Sequence, residues 1–179
     1  MTLSETIAAL RPPRDEGTVA LVVQRLPGEK RATPGMITLD VERGVLGDRW
    51  SGGRWPAGLR APNPDAMVTL MRWDVADVLA RRAGVPVEIL GDNLFASLDT
   101  SAANLPPGTV LQVGSARCVV TPKPHTGCSK FSARVGSDAL ALTRADEWKL
   151  TQLRGVHLRV LEGGTASVGD AITVVARPA

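Results

Sequence analysis

Short β-branched runs separated by glycine- and proline-rich turns are the feature that most constrains this chain. Residues 156–161, V-H-L-R-V-L, alternate apolar and polar side chains with a period of two, which is typical of a half-buried strand. Residues 109–121 form two such runs joined at Gly114 and Ser115, which predicts a hairpin. Further strands are predicted at residues 18–26, 35–44 and 171–176, with a short strand or the lead-in to a helix at 67–70.

A few helices accompany the strands. Met71, Val75, Val78 and Leu79 have the spacing of an amphipathic helix, which Gly84 then ends. Short helical structure is also predicted at residues 4–10 and over parts of residues 128–153. The irregular stretches are predicted at residues 47–65, from residue 91 to the P-P-G at 106–108, and at 162–170. The pattern predicts a single domain over residues 1–179 that is mostly β: a compact β-barrel with a few peripheral short helices.

Composition and charge exclude several classes of protein. The net charge is +3, and the basic residues are dispersed rather than gathered in a run, so a small anionic ligand or cofactor fits better than a nucleic acid. No apolar stretch reaches 18 residues and the N-terminus lacks the pattern of a signal peptide. Two cysteines ten residues apart form no disulfide framework. These features predict a cytoplasmic protein without a membrane partner and with reduced thiols.

Cys128 is the strongest candidate functional residue. It lies in T-P-K-P-H-T-G-C-S-K-F, residues 121–131, close in sequence to Lys123, Lys130 and Arg134. Positive neighbours lower the pKa of a thiol and favour the thiolate, which is the nucleophilic and metal-binding form. Gly127 is expected to keep the approach to the sulfur open. The alternative is a free cysteine in a loop without a role.

His125 allows several interpretations. It is a candidate general base for Cys128, a second metal ligand, or a structural histidine, because H-x-x-C supplies only half of a zinc site. His157 is as well explained as an ordinary strand residue. Cys118, flanked by β-branched residues, is predicted to be a small buried hydrophobic residue.

The long loop at residues 47–65 is a second candidate site. Arg49, Arg54 and Arg60 either line an anion pocket, since arginine binds phosphate and carboxylate in a bidentate manner, or belong to a solvated loop. Trp50 and Trp55 either stack on a flat ligand or cover the barrel end, and the second is favoured. The Gly-Asp pairs that contain Asp48, Asp92 and Asp170 are most simply turns.

Several motifs, in order, resemble one known family. They are G-V-L-G-D-R-W at residues 44–50, G-D-N-L at 91–94, L-P-P-G-T-V-L-Q-V-G at 105–114, the Cys128 segment, and R-G-V-H-L-R-V-L-E-G-G-T-A-S-V-G-D at 154–170. Together they resemble the MOSC domain, named for the C-terminal domain of molybdenum cofactor sulfurase, over about residues 17–175. The H-T-G-C-S-K-F stretch is similar to a bacterial stand-alone subgroup.

The resemblance implies a β-barrel that binds molybdenum cofactor (molybdopterin) or handles sulfur. The family's cysteine matches Cys128, which would then be a metal ligand or a persulfide carrier, with zinc or iron as lesser metal alternatives. The residues implied to bind cofactor are Asp48, Arg49, Arg54, Asn93, Lys123, Lys130 and Arg134, with Cys128 and His125 as the catalytic candidates. The implied partners are a small anionic ligand and either a sulfur donor such as a cysteine desulfurase or an electron-donor protein.

The chain also departs from this family. Many relatives have His at the position of Trp50 and Glu at the position of Asp92. The pyridoxal-phosphate domain of the sulfurases is not matched, so sulfur would have to come from a partner, and redox chemistry would need an electron donor. Enzymatic activity stays open, as sulfur transfer or molybdenum-dependent redox chemistry with partners. The alternatives are a lyase or hydrolase that uses His125 and Cys128, with or without a metal, and a non-catalytic partner module.

Overall fold

The computed structural model describes residues 1–52 and 62–179. Its strands are β1 (Glu16–Val22), β2 (Gln24–Arg25), β3 (Arg31–Ala32), β4 (Met36–Asp40), β5 (Gly44–Val45), β6 (Val68–Arg72), β7 (Leu94–Ala96), β8 (Val110–Val113), β9 (Ala116–Val120), β10 (Val156–Glu162), β11 (Gly164–Ser167) and β12 (Ala171–Ala176). Its α-helices are α1 (Leu3–Ala8), α2 (Arg49–Gly52), α3 (Trp73–Ala83), α4 (Ser129–Val135) and α5 (Ser137–Arg144). Short 3₁₀ turns occur at Pro27–Glu29, Pro64–Ala66, Val87–Leu90 and Asp146–Thr151.

Seven strands close into a barrel, in the order β1-β12-β8-β9-β10-β6-β7, with β7 pairing back to β1. All neighbours are antiparallel except β6 and β7, which run parallel because α3 crosses between them. β11, β4 and β5 form a smaller sheet, and β2 and β3 form a two-stranded hairpin. The predicted β-barrel with a few short helices is therefore confirmed, and the hairpin joined at Gly114 and Ser115 is the β8–β9 pair.

Several boundaries differ from the sequence prediction. The stretches from residue 91 and at 162–170 were expected to be irregular, but they contain β7 and β11. β7 has only three residues, and β11 (G-T-A-S) has no apolar alternation, so neither carries a periodic signal. The helix pattern that begins at Met71 is correct only from Trp73, because Met71 belongs to β6.

Apolar side chains form one core inside the barrel and a second between its wall and the helices. Alternation along β6 divides them: Leu70 packs inside the barrel, whereas Met71 packs outside with Phe131 of α4 and Leu79 of α3. All five residues of β6 are buried because both faces of the strand are covered. The second core fixes α4 against the barrel wall.

Gly155, at the start of β10, permits a close approach of two barrel strands. Its φ is 83°, and an added Cβ would lie 1.9 Å from the carbonyl oxygen of Leu70. No other residue type fits this backbone without displacing β6. The glycine therefore fixes how closely β10 approaches β6, and with it the positions of Arg154 and His157 on either side of the glycine.

The lengths of the described helices show whether any of them could cross a membrane. None of them is long and apolar enough to cross a bilayer. This matches the absence of an 18-residue apolar stretch in the sequence.

Candidate functional site

Cys128 lies where the chain enters α4. After β9 leaves the barrel at Val120, the proline-containing segment leads to Cys128, which is the N-cap residue of the helix. The side chain of Cys128 is exposed, whereas Cys118 on β9 is fully buried inside the barrel. Burial raises the pKa of the Cys118 thiol to about 12. The prediction that Cys118 is a small buried hydrophobic residue is confirmed.

The surroundings of Cys128 favour its thiolate. Partial burial raises the pKa of the thiol, but the backbone amides of Phe131 and Lys130 and the charges of Arg154 and Arg134 outweigh it. The net result is a pKa below the ordinary value for cysteine. Of the basic neighbours expected from the sequence, Arg134 contributes through its charge, and the start of α4 and Arg154, which the sequence did not single out, act in the same direction.

Arg154 is the centre of a buried polar network under α4. Its Nη1 donates to Asp92 Oδ2 at 2.8 Å, and its guanidinium carbon lies 4.4 Å from the ring centre of Phe131. Asp92 is fully buried and Arg154 is 6% exposed, so each is the counter-ion that makes burial of the other tolerable. The Gly-Asp pair at residue 92 therefore holds a buried ion pair and not merely a turn.

His125 faces this network. Arg154 Nη2 lies 3.2 Å from Nε2 of His125, and Asp92 Oδ1 lies 3.5 Å from the same nitrogen. Burial and the charge of Arg154 hold the pKa of His125 well below its ordinary value. When Arg154 donates to the neutral ring, Nε2 is the acceptor and the proton lies on Nδ1. That buried nitrogen has no hydrogen-bond partner among the described residues.

His157 packs against His125. The two ring centres are 4.5 Å apart, and Nδ1 of His157 donates to the carbonyl oxygen of Lys123 at 3.1 Å. Burial also lowers the pKa of His157, so both rings are neutral at pH 7. His157, on β10, thus contacts and supports the segment that leads to Cys128.

A second group of charges surrounds Glu29, which ends the 3₁₀ turn between β2 and β3. Its carboxylate contacts Lys130 and Arg134 of α4, and Arg49 of α2 lies 4.0 Å away. Hydrogen bonds from Lys130 and Arg134 lower the pKa of Glu29 to about 2. Three residues that the sequence proposed as cofactor-binding therefore meet here, around a carboxylate that the sequence analysis did not single out.

Asp48 and Asn93 belong to a buried structural network. Arg25 donates to both oxygens of Asp48, and Asn93 Nδ2 donates to Asp48 Oδ1 at 3.0 Å. Asn93 also bonds to Val23, the residue that follows β1, and to Thr69 of β6. The network ties the 44–52 segment to the barrel, a role that the two residues can fill without touching a ligand.

The proline-containing segment also forms one wall of a cavity of about 460 Å³. Several residues between 143 and 156 also line the cavity, and Lys123, His125, Arg144 and Arg154 are among the lining residues. Cys128 is not among them. His125 therefore faces a cavity on one side of the segment, while Cys128 lies at the helix start on the other side of Gly127.

Gly127 has a different role from the one expected. It is buried, and an added Cβ would lie 2.6 Å from Cδ1 of Leu140 and 3.2 Å from Phe131. The missing side chain lets the chain pack against α4 and α5, whereas the sequence predicts a glycine that opens an approach to the sulfur. Its carbonyl oxygen accepts from Arg144 Nη2 at 2.7 Å.

The remaining predicted residues divide between these places. Lys123 lies at the cavity and is linked to His157 through its carbonyl oxygen. Arg54, Trp55 and Arg60 fall outside the described residues. Within residues 1–52 and 62–179, no three His, Cys, Asp or Glu side chains group as a metal site would require.

Comparison with protein families identifies the relatives. The model of the MOSC domain matches residues 60–173, which include β6 to β10, the Cys128 segment and most of the barrel. The chain belongs to the MOSC domain family. The MOSC match includes Asp92, Cys128 and Arg154, whereas Glu29 and Arg49 precede it. No curated protein matches this chain.

Solved structures share the fold of this MOSC domain. YiiM from Escherichia coli matches with 21% identity and a TM-score of 0.58, covering 94% of this chain and 72% of that one. The YuaD protein from Bacillus subtilis matches with 17% identity and a TM-score of 0.58, covering 90% and 97%. YiiM from Geobacillus stearothermophilus matches with 16% identity and a TM-score of 0.58, covering 90% and 76%. At these identities the likeness concerns the fold.

Proposed function

We propose that this MOSC domain uses the Cys128 thiolate to bind a molybdenum cofactor or to carry sulfane sulfur. The observation that supports it is an exposed thiol at the start of α4 whose pKa is lowered by Phe131, Lys130, Arg154 and Arg134 despite partial burial. Both roles need an anionic sulfur that a ligand or partner protein can reach.

The donor set suits a soft metal with an anionic cofactor. A thiolate is the soft ligand that such a metal prefers, and Lys130 and Arg134 supply positive charge on the same helix. Cys128 would hold the metal, with Lys130 and Arg134 facing the anionic part of the cofactor. Bound there, the cofactor would supply two-electron redox chemistry, for which an electron-donor protein is needed.

The sulfur-carrier role uses the same residue with different chemistry. The Cys128 thiolate attacks the terminal sulfur of a donor persulfide, the donor's S–S bond breaks, and the donor leaves as a thiolate while Cys128 becomes the persulfide. No net oxidation occurs, so a cysteine desulfurase that carries a persulfide is a sufficient partner. The nearby cations would stabilise the persulfide anion as they do the thiolate.

The interpretation of His125 as a base for Cys128 has less support. Its Nε2 faces Arg154 and Asp92, and its pKa lies well below the ordinary value. His125 is accordingly proposed as a positioning residue, which fixes Arg154 beneath α4 through a neutral ring.

Anaerobic reconstitution tests the proposed function. The protein, a Cys128→Ser variant and a Cys118→Ala variant are each incubated with molybdopterin cofactor, and separately with a persulfide-loaded cysteine desulfurase. We expect retained molybdenum and pterin fluorescence, or a mass increase of one sulfur atom on the Cys128 peptide, in the wild type and Cys118→Ala but not in Cys128→Ser. Equal retention of metal and sulfur by all three proteins, or by none, would overturn the proposal.

A further inference from the structure

The contacts of Glu29 are unusual for an exposed side chain. It lies in the hairpin loop between β2 and β3, more than 100 residues in sequence from Lys130 and Arg134, yet both contact its carboxylate. Its backbone has a φ of 63°, a left-handed conformation that residues other than glycine adopt rarely. The turn thus accepts a locally costly backbone while presenting a carboxylate to α4.

The cations at this place outnumber the carboxylate. Arg31, Arg49, Lys130 and Arg134 gather around Glu29, so four positive charges against one negative charge leave +3. Arg25 is excluded from this sum because Asp48 neutralises it. An exposed carboxylate therefore balances only part of the charge that the fold assembles here.

Arg31 carries the clearest sign of missing negative charge. Its Nη1 donates to the carbonyl oxygens of Glu29 and Lys30, but Nε and Nη2 are buried without a hydrogen-bond partner among the described residues. Burial lowers the pKa of Arg31, and the charges of Arg134 and Arg49 lower it further. A guanidinium is rarely left in such surroundings unless an anion completes them.

Gly91 makes room for this arrangement. Its φ is 97°, and an added Cβ would lie 2.9 Å from Nη1 of Arg134 and 3.4 Å from Nη2 of Arg31. Two like-charged groups are therefore brought side by side over a position that any larger residue would fill. Such convergence of guanidinium groups is suited to a group with several anionic oxygens, since each fork binds two of them.

We propose that Arg31, Arg49, Lys130 and Arg134 form a binding site for a phosphate-class oxyanion, and that Glu29 occupies it as an internal, displaceable carboxylate. A phosphate group carries more negative charge than one carboxylate, so it matches the +3 of the cluster better than Glu29 does. The hairpin loop then swings aside as the oxyanion enters. The inference rests on the proposed function in one respect. If Cys128 holds a cofactor, the neighbouring oxyanion site would bind the phosphate of that cofactor.

Alkylation of the Cys128 thiol reports on the charge of this neighbouring oxyanion site without any cofactor bound. Cys118 is sealed in the barrel, so Cys128 is the thiol that reacts in the folded protein. We would compare its rates with iodoacetate, which is anionic, and with iodoacetamide, which is neutral, at low salt. Both reagents attack through the same thiolate, so the ratio of the two rates cancels any change in the pKa of Cys128.

Removal of the internal carboxylate should raise that ratio. Glu29→Gln is expected to increase the iodoacetate-to-iodoacetamide ratio about tenfold, because the uncompensated cations attract the anionic reagent. Inorganic pyrophosphate should protect Cys128 from iodoacetate, and at lower concentration in Glu29→Gln than in the wild type. Arg31→Gln should weaken that protection.

The matched control is Glu162→Gln, which removes the same charge from an exposed pair with Arg117. The inference would be overturned if the iodoacetate-to-iodoacetamide ratio were unchanged in Glu29→Gln, or if it rose equally in Glu162→Gln. It would also be overturned if Arg31→Gln left the protection by pyrophosphate intact. Protection by pyrophosphate together with failure to retain molybdenum or sulfur would reject the proposed function while keeping the anion site. Retention of the cofactor together with an unchanged alkylation ratio in Glu29→Gln would reject the anion site while keeping the proposed function.

Discussion

At Cys128, burial and neighbouring polar groups act on the thiol in opposite directions. Burial disfavours the charged sulfur, while the amides of Phe131 and Lys130 and the charges of Arg154 and Arg134 favour it, and the second set prevails. Of these groups, Arg134 is the one that a substitution removes with least damage, because Arg154 is buried against Asp92. Part of the stabilisation of the thiolate thus comes from a residue six positions along the same chain segment.

Arg134→Gln is expected to raise the pH midpoint of Cys128 alkylation by iodoacetamide. The removed charge no longer stabilises the thiolate, so a higher pH is needed to form it, and the shift should be on the order of half a pH unit at low salt. The control is Arg117→Gln, which removes an equivalent charge near the start of β9, at the end of the strand that does not lead to Cys128. It should leave the midpoint unchanged. Equal midpoints in Arg134→Gln and wild type would mean that the helix amides and Arg154 set the reactivity without Arg134.

At the scale of elements, the start of β10 determines where the buried network lies. Gly155 brings β10 within van der Waals reach of β6, and this places Arg154 beneath α4 and His157 behind the segment at residues 121–127. The pairing of His157 with Thr69 on β6 holds the same register. A displacement of β10 therefore moves both residues that support the Cys128 segment.

Gly155→Ala should destabilise the fold strongly. A methyl group 1.9 Å from the carbonyl oxygen of Leu70 forces β10 and β6 apart, in addition to the cost of about 1–3 kcal/mol for a left-handed backbone. Gly169→Ala is the matched control, because its φ is 94° and an added Cβ has open space around it. Urea denaturation should show a loss well above that of Gly169→Ala, and similar losses would contradict the proposed clash.

At the scale of the whole molecule, two neutral histidines link folding to pH. His157 on the barrel strand β10 is buried, and the side chain of His125, in the segment that leads to Cys128, is only 11% exposed; the two ring centres lie 4.5 Å apart. Their folded-state pKa values are lowered, while in the unfolded chain the value is about 6.5. The unfolded state therefore binds more protons as the solution is acidified.

The free energy of unfolding is expected to fall as the pH drops below about 6.5. The stabilisation is present above the unfolded pKa and decreases below it by at most about 1.4 kcal/mol per pH unit for each histidine. Denaturation at pH 7.5, 6 and 5 measures this, and His125→Asn should reduce the slope. The carboxylates with lowered pKa act only below about pH 4.5, so constant stability between pH 7.5 and 5 would contradict the assignment of neutral rings.

The sequence by itself determined the barrel class, the β8–β9 hairpin, the buried state of Cys118 and the basic surroundings of Cys128, because these depend on local periodicity and on near neighbours in the chain. It did not find β7 and β11, which are too short or too polar to carry a period.

Only the tertiary structure decided that Arg154 and Asp92 pair under α4 and that Glu29 meets Lys130 and Arg134. Those contacts join residues 62 to 105 positions apart, and the packing of the hairpin and helices against the barrel, which no local pattern encodes, brings them together.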